Sequence, residues 1–214
     1  MPSPSPSPSS SRRVRRRLEV SHKILDAGKA LFEERGYDET TVAQVCEHAD
    51  VAYGTFFNHF PSKADLLTAL ANHSVTEVAA QLESLAKRRG TIEDLLIELF
   101  AAGAEHVERL TPRQRELLAR IHSLAFTESP ADRDRRFHAA FAAFLRTGVE
   151  DGRVRDDVAV ETLADVLSIT YASISMSWVH VQDTPIRERA AASARFLGSS
   201  LAPRRPLTAP TSGS

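Results

Sequence analysis

Residues 40 to 63 read Thr-Thr-Val-Ala-Gln-Val-Cys-Glu-His-Ala-Asp-Val-Ala-Tyr-Gly-Thr-Phe-Phe-Asn-His-Phe-Pro-Ser-Lys, a stretch that predicts two short helices joined by a tight turn. Thr41, followed three residues later by Gln44, has the spacing of a capping box, so a helix should begin at the next residue. Ala49-Asp50-Val51 is short enough for the turn of a helix-turn-helix, and Asp tolerates the left-handed backbone such turns often need. The second helix should run from about Ala52 to Phe60.

The second helix should bury one side and expose the other. Phe56 and Phe60 lie four residues apart and are expected to pack inward with Val51. The outer side combines a glycine, hydrogen-bonding groups and aromatic rings, which suits a helix that contacts base edges and phosphates in a major groove. The residues on that side are Tyr53, Gly54, Thr55, Phe57, Asn58 and His59.

A third helix should follow directly. Pro61 ends the preceding helix, and Ser62 with Asp65 three residues later has the pattern of a helix cap. The first amides of this helix, together with Lys63, are therefore expected to bind a phosphate group.

These residues together resemble the DNA-binding domain of the tetracycline-repressor (TetR) family. The similarity covers about residues 19–67 and rests on Gly36-Tyr37, Thr40-Thr41-Val42, Ala49-Asp50-Val51 and the run 54–63, which agree over a fixed spacing. It implies an all-α protein with an N-terminal three-helix helix-turn-helix domain and a C-terminal helical domain for effector binding and dimerisation. It also implies base or phosphate contacts for Thr41, Tyr53, Thr55, Phe57, Asn58, His59 and Lys63.

Three residues depart from the family pattern. Ala52 stands where a hydroxyl residue usually caps the second helix, and its loss should weaken that cap by about 1 kcal/mol. Phe57 replaces the usual tyrosine and lacks a hydroxyl directed at a phosphate. Asp50 replaces the usual glycine and adds a negative charge near the DNA, so we expect modest operator affinity.

The charge of the chain is unevenly distributed. The net charge over 214 residues is −1, and residues 19–63 hold four Lys/Arg against eight Asp/Glu. The segment just before them is strongly basic and contains Arg12, Arg13, Arg15, Arg16 and Arg17. We expect a flexible arm that contacts the minor groove or the phosphates. The alternative is a solvated charge run that affects only solubility.

Other features limit the class of protein. No uncharged apolar run reaches the roughly 18 residues of a membrane span, and Met1 to Ser11 has no apolar signal region, so we expect a cytoplasmic protein. The single cysteine, Cys46, excludes an intrachain disulfide and fits a small buried residue. No nucleophile elbow, phosphate-cradling glycine loop or paired metal motif is present, so we predict neither an enzyme nor a cofactor.

The chain beyond residue 62 is predicted to be helical throughout, over about 63–88, 91–110, 112–127, 131–150, 158–182 and 184–201. Apolar stripes on these helices should face a common interior, and helical bundles often bind ligands in such interiors. The candidate pocket residues are Phe100, His106, His122, Phe126, Phe141 and Tyr171. A metal site built from His106, His122 and His138 lacks ligand spacing on any one helix.

Residues 166–182 contain no Asp, Glu, Lys or Arg and carry more than one apolar stripe, which predicts burial on two sides. We expect this helix and the next to pair with their copies in a second subunit as a four-helix interface. The predicted interface residues are Leu167, Ile174, Trp178, Ala190, Ala194, Leu197 and Leu201.

The predicted organisation is therefore a disordered leader with a basic arm (1–17), a helix-turn-helix domain (18–62), a ligand-binding and dimerisation domain (63–202) and a disordered tail (203–214). We predict a homodimeric, ligand-responsive repressor of a palindromic double-stranded DNA operator, released by a small apolar effector through a population shift. The alternatives are an effector-independent, sequence-tolerant DNA-binding protein and a helical enzyme or ligand-storage protein.

Overall fold

The computed structural model describes the backbone of residues 8–127, 130–180 and 185–204, and within these ranges the side chains of 8–11, 122–127, 130–134, 175 and 177–180 are not described. The all-α prediction is confirmed, since these ranges contain helices and no strand. The helices are α1 Pro8–Arg35, α2 Val42–Ala49, α3 Tyr53–His59, α4 Lys63–Ala86, α5 Ile92–Glu108, α6 Pro112–Thr127, α7 Pro130–Glu150, α8 Val160–His180 and α9 Ile186–Leu201.

The chain divides into two compact units. The first unit comprises Met1–Ser74 and Leu110–Glu128, and the second comprises Val75–Arg109 and Ser129–Ser214. The predicted boundary after residue 62 differs from this division in two ways: the first half of α4 belongs to the first unit, and so does α6. The side chain of Leu117, on α6, is buried in the core of the first unit, which explains why α6 belongs there.

The core of the first unit forms where α1 to α4 meet. Phe32 and Phe56 are fully buried there, together with Leu66 near the start of α4. A Cβ atom at Gly28 would lie 2.6 Å from the Leu66 side chain, so a larger residue there would force the buried Leu66 side chain to shift. These apolar contacts fix α2 and α3 against α1.

The core of the second unit is built around α5. Leu96, Leu99 and Phe100 are buried there and pack with residues of α7, α8 and α9. A Cβ atom at Gly198 would lie 2.6 Å from the Cα atom of Glu93, so the glycine permits a close crossing of α9 and α5. Among the described residues, no helix is long and apolar enough to span a membrane.

Two expectations for the chain termini can be compared with the structure. The basic segment 12–17 was expected in a flexible arm, but it lies in the first turns of α1, so this part of the prediction is wrong. Proline at the first helical position and serines near a helix start are compatible with a helix that begins at Pro8. Residues 1–7 and 205–214, which include most of the predicted leader and tail, lie outside the described residues.

Candidate nucleic-acid interface

The first helix of the motif begins at a capping box, as predicted. The Thr41 amide donates to the Gln44 side chain at 2.8 Å, and the Gln44 amide donates to the Thr41 hydroxyl at 3.3 Å. Before it, α1 ends at Arg35 and is followed by Gly36, whose φ of +93° lies in the left-handed region that favours glycine. Helix α2 therefore starts at a fixed residue, and Thr41 is exposed there.

The turn between α2 and α3 has the geometry expected for a helix-turn-helix. Asp50 adopts a left-handed backbone with φ 53° and ψ 53°, and the Val51 amide donates to the Cys46 carbonyl at 3.0 Å. Ala52 sits in the N-cap position of α3 and makes no side-chain hydrogen bond, which confirms the predicted loss of that cap. Helix α3 is consequently held by its packing rather than by its cap.

Helix α3, here called the reading helix, buries one side and exposes the other. Phe56 is fully buried, whereas Tyr53 and Phe57 remain 57% and 42% exposed. The two exposed rings contact each other edge to face, with centroids 5.0 Å apart. Gly54 and Asn58 are exposed, and Thr55 and His59 are half-buried. The predicted outer surface is therefore present, with two of its six members partly covered.

The arginine-rich start of α1 lies near the end of the reading helix. The pKa of His59 is lowered, first because the ring is partly buried and second because of the positive charge of Arg17. Arg15 is within 3.5 Å of Glu19 in an exposed pair, which is worth little energy because water screens it. Arg17, in the helical basic segment, is therefore close enough to His59 for its charge to act on that ring.

Lys63 has a different environment from the one predicted. Its ammonium group donates to the carbonyl oxygens of Tyr37 and Thr40 at 2.7 and 2.8 Å, and it lies 3.4 Å from that of Asp38. The expected phosphate contact would have to compete with these bonds. The cap predicted for α4 is present, because the Asp65 amide donates to the Ser62 hydroxyl at 3.1 Å.

The predicted effector residues separate into three groups. Phe100, Phe141 and Tyr171 pack together. The ring centroid of Tyr171 lies 5.4 Å from that of Phe100 and 5.6 Å from that of Phe141. His106 is exposed, so its assignment to a pocket is wrong. The side chains of His122 and Phe126 lie outside the described residues.

The aromatic group borders a small cavity in the second unit. The cavity leaves about 10 Å³ for the centre of a water molecule, and it is lined by Phe100, Gly103, Ala104, Val107, Tyr171, Ile174 and Ile186. Burial raises the pKa of Tyr171 to about 12. Its hydroxyl oxygen would lie 2.9 Å from a Cβ atom at residue 103, so glycine there makes room for it. An effector at this position would have to enlarge the cavity.

Most of the predicted dimer residues lie inside the chain rather than on its surface. Leu167, Ile174, Ala190, Ala194, Leu197 and Leu201 are buried in the core of the second unit. Their assignment to an interface is therefore corrected. The Trp178 side chain lies outside the described residues. Among the described side chains of α8 and α9, the large apolar ones that remain exposed are Val166, Ile169 and Phe196, at 52%, 68% and 72% exposure.

Metal ligation finds no support in the described part of the chain, where no group of His, Cys, Asp and Glu is arranged to hold an ion. His138 instead lies 3.0 Å from the carboxylate of Asp165. A residue that sequence reasoning missed is Arg120 on α6, which pairs with Asp38 in the turn after α1. No local pattern could have revealed this contact, because 82 residues separate the two side chains.

Three helices pack around a common core, and the last, short helix exposes one side. This arrangement is that of a helix-turn-helix DNA-binding protein. Residues 24–70 match the family model described as bacterial regulatory proteins, tetR family. The HTH-type transcriptional repressor Rv1474c of Mycobacterium tuberculosis is 30% identical over 147 residues, which cover 69% of this chain and 75% of the repressor. The HTH-type transcriptional repressor KstR of Mycolicibacterium smegmatis is 27% identical over 161 residues, 75% of this chain and 77% of KstR.

The fold has relatives among solved structures as well. The TetR-family repressor FadR of Thermus thermophilus, crystallised with lauroyl-CoA, matches 89% of this chain and 98% of its own at a TM-score of 0.67 and 24% identity. The chain belongs to the TetR family of bacterial transcriptional regulators. The predicted class of function, a ligand-responsive DNA-binding repressor, is confirmed by this membership, and the relatives are regulators rather than enzymes.

The basic start of α1 is expected to contribute phosphate contacts. Replacing all five arginines of residues 12–17 by glutamine should weaken DNA binding and flatten the dependence of log K on log salt, because each lost phosphate contact removes about 0.9 from the slope. Affinity measured by fluorescence anisotropy over a series of salt concentrations tests this.

A matched control changes Arg89 and Arg136, two exposed arginines of the second unit, to glutamine. It should leave the slope unchanged. An unchanged slope in the five-arginine variant would show that the segment is only a solvated charge run.

Proposed function

We propose that this regulator binds an inverted-repeat operator as a homodimer and releases it when a small apolar molecule binds the second unit. The observation that carries the proposal is the two-sided character of α3. Phe56 is fully buried on one side, and Tyr53, Phe57 and Asn58 are exposed on the other. A short helix fixed in this way presents side chains to base edges with little freedom to move.

The chemistry of the exposed side supports base reading rather than phosphate binding alone. Asn58 carries an amide that can pair with adenine through two hydrogen bonds, and the rings of Tyr53 and Phe57 offer apolar contact to thymine methyl groups. Thr41, exposed at the first turn of α2, and the arginines of α1 would supply the phosphate contacts that set register. Sequence-specific binding requires both kinds of contact.

Selection of bound sequences from random duplexes tests the proposed operator. We expect a palindromic consensus whose half-sites lie about one turn of DNA apart, or a multiple of it. The Asn58→Ala variant should relax the preference at one position of each half-site and weaken binding by about 1–3 kcal/mol. Fluorescence anisotropy with the selected duplex and single-position mutants of it measures both effects.

Two outcomes of the selection would contradict the operator proposal. A weak consensus with steep salt dependence would favour the sequence-tolerant DNA-binding alternative. A strong consensus without two-fold symmetry would keep sequence-specific binding and reject the dimeric mode.

The homodimer is proposed to form through a surface of α8 and α9. Val166, Ile169 and Phe196 are large apolar side chains that each remain more than half exposed in the single chain. Exposed apolar groups of this size on one folded unit favour association. A two-fold axis would set the same surface of a second copy against them and bury them in a four-helix interface.

Charge placed on this surface should separate the subunits. The double variant Ile169→Glu/Phe196→Glu is expected to be monomeric at micromolar concentration, because each carboxylate would be buried without a partner in the dimer. Light scattering measures the mass. Leu18→Glu, which changes a similarly exposed apolar residue of α1, is the control and should leave the mass unchanged. A double variant that remains dimeric would place the interface elsewhere.

The effector is proposed to carry an acyl chain and to bind beside the aromatic group of the second unit. Phe100, Phe141 and Tyr171 form an apolar wall with one hydroxyl group, and ligand sites commonly combine such walls with a few polar groups. The lauroyl-CoA bound by the Thermus FadR gives the proposal a specific compound to test. In this proposal the Tyr171 hydroxyl donates to a carbonyl oxygen of such a molecule.

Titration of the operator complex with lauroyl-CoA, laurate and CoA tests this assignment. We expect release by lauroyl-CoA and none by CoA, since only the first brings an apolar chain. Tyr171→Phe should require about five times more lauroyl-CoA, because a buried hydrogen bond is worth roughly 1 kcal/mol. Its operator affinity without effector is the internal control and should match that of the wild type. Release by CoA alone would exclude the acyl chain as the recognised part.

A further inference from the structure

The turn between α1 and α2, residues 37–40, is held by positive charges from two other helices. Lys63 at the start of α4 donates to the carbonyl oxygens of Tyr37 and Thr40 at 2.7 and 2.8 Å. Arg120 on α6 donates to both carboxylate oxygens of Asp38 at 2.7 and 2.8 Å. The two cations also lie over the ring of Tyr37, 4.3 and 4.6 Å from its centroid.

We propose that Lys63 and Arg120, here called the clamp, are positioning residues for DNA recognition, which fix the 37–40 turn without touching DNA themselves. The inference rests on the proposed function, because the turn leads directly into the DNA-contacting motif. It differs from the role predicted for Lys63, which was a direct phosphate contact.

The bonding of Lys63 supports a positioning role. An ammonium group has three donors, and those of Lys63 face the carbonyl oxygens of Tyr37, Asp38 and Thr40. The side chain is half-buried, and its pKa is lowered chiefly by that burial. Moving the ammonium group to a phosphate would break the two short bonds and leave carbonyl oxygens of the turn without donors.

The geometry of Arg120 supports the same positioning role for the second cation. Its planar guanidinium makes a two-bonded pair with Asp38, an arrangement that fixes both position and orientation. The pair also compensates a carboxylate that would otherwise repel DNA phosphates. Lysine cannot reproduce the planar fork, so the contact depends on arginine in particular.

The turn is joined rigidly to the start of α2, the first helix of the helix-turn-helix. Thr40 is fully buried, and its hydroxyl donates to the Gly36 carbonyl at 2.7 Å. The next residue, Thr41, is the N-cap of α2 and belongs to the predicted DNA surface. A loosened turn would therefore misplace Thr41 and the first turn of α2, and small misplacements of contacting groups are costly.

Operator affinity across a salt series separates positioning from phosphate contact. Arg120→Gln and Lys63→Gln should each bind the selected operator about ten times more weakly with an unchanged slope of log K against log salt. Loss of a phosphate contact would instead lower the slope by about 1. Arg120→Lys should be as weak as Arg120→Gln. In a double-mutant cycle with Asp38→Asn, the two losses should not add.

Arg113→Gln is the matched control, because it removes a positive charge from the same helix. In the described part of the chain Arg113 makes no hydrogen bond or ion pair, so its loss should leave affinity and slope unchanged. A slope lower by about 1 for Lys63→Gln or Arg120→Gln, wild-type affinity for either, or wild-type affinity for Arg120→Lys would overturn the proposal.

Amide hydrogen exchange in the full chain tests the same proposal without DNA. Faster exchange at Thr41 and Gln44 in Arg120→Lys and Asp38→Asn, two changes of small volume, is expected if the clamp holds the turn. Unchanged exchange there would overturn the proposal. A wild-type protein that selects no palindromic consensus would reject the proposed operator function, whereas the exchange result would still decide on the clamp.

Discussion

A seven-residue helix is too short to be stable by itself in water, so the reading helix depends on the burial of Phe56. It has no side-chain cap at Ala52, and two turns of backbone hydrogen bonds do not offset the entropy of ordering them. The burial of one large aromatic side chain contributes roughly 1.5–3 kcal/mol. The exposed residues of α3 are thus placed by a contact on its opposite side, and any change to that contact alters the DNA surface.

The distribution of charge is a second constraint on DNA binding, separate from this packing. Residues 19–63 carry an excess of acidic side chains, and the arginines that compensate them stand at the start of α1. These arginines belong to a helix that continues into the core of the first unit, and the charge of Arg17 acts on His59. A helical segment loses less conformational entropy on binding than a flexible arm would. We therefore expect the basic segment to contact the same DNA as the reading helix.

The sequence predicted those features that depend on neighbouring residues. The capping box at Thr41, the left-handed Asp50 and the buried Phe56 each follow from a rule about a few consecutive positions, and the structure contains them. The hydrogen-bond partners of the Lys63 side chain could not be predicted in this way, because they lie in a turn more than 20 residues away. The contact between Arg120 and Asp38 escaped prediction for the same reason.

Helix α8 shows a different limit of sequence reasoning. Its two apolar stripes predict burial on two sides, but the pattern does not say which stripe meets the chain's own core. The stripe of Leu167 and Ile174 lies inside the second unit, and the stripe of Val166 and Ile169 is exposed. The choice is made by α5, α7 and α9, whose apolar side chains pack against the first stripe. A double stripe on a charge-poor helix therefore predicts association without identifying the interface residues.

The path of the chain shows how the two helices that carry the clamp residues are divided between the units. Helix α4 begins in the first unit and ends in the second, and α6 belongs to the first unit although α5 and α7 belong to the second. Lys63 and Arg120 stand on these two helices, and both hold the turn that precedes α2. Helix α4 is thus shared by the two units, and the covalent chain joins both ends of α6 to the second unit. Loss of order in the turn would require the hydrogen bonds of Lys63 to its carbonyl oxygens and the pair of Arg120 with Asp38 to open together.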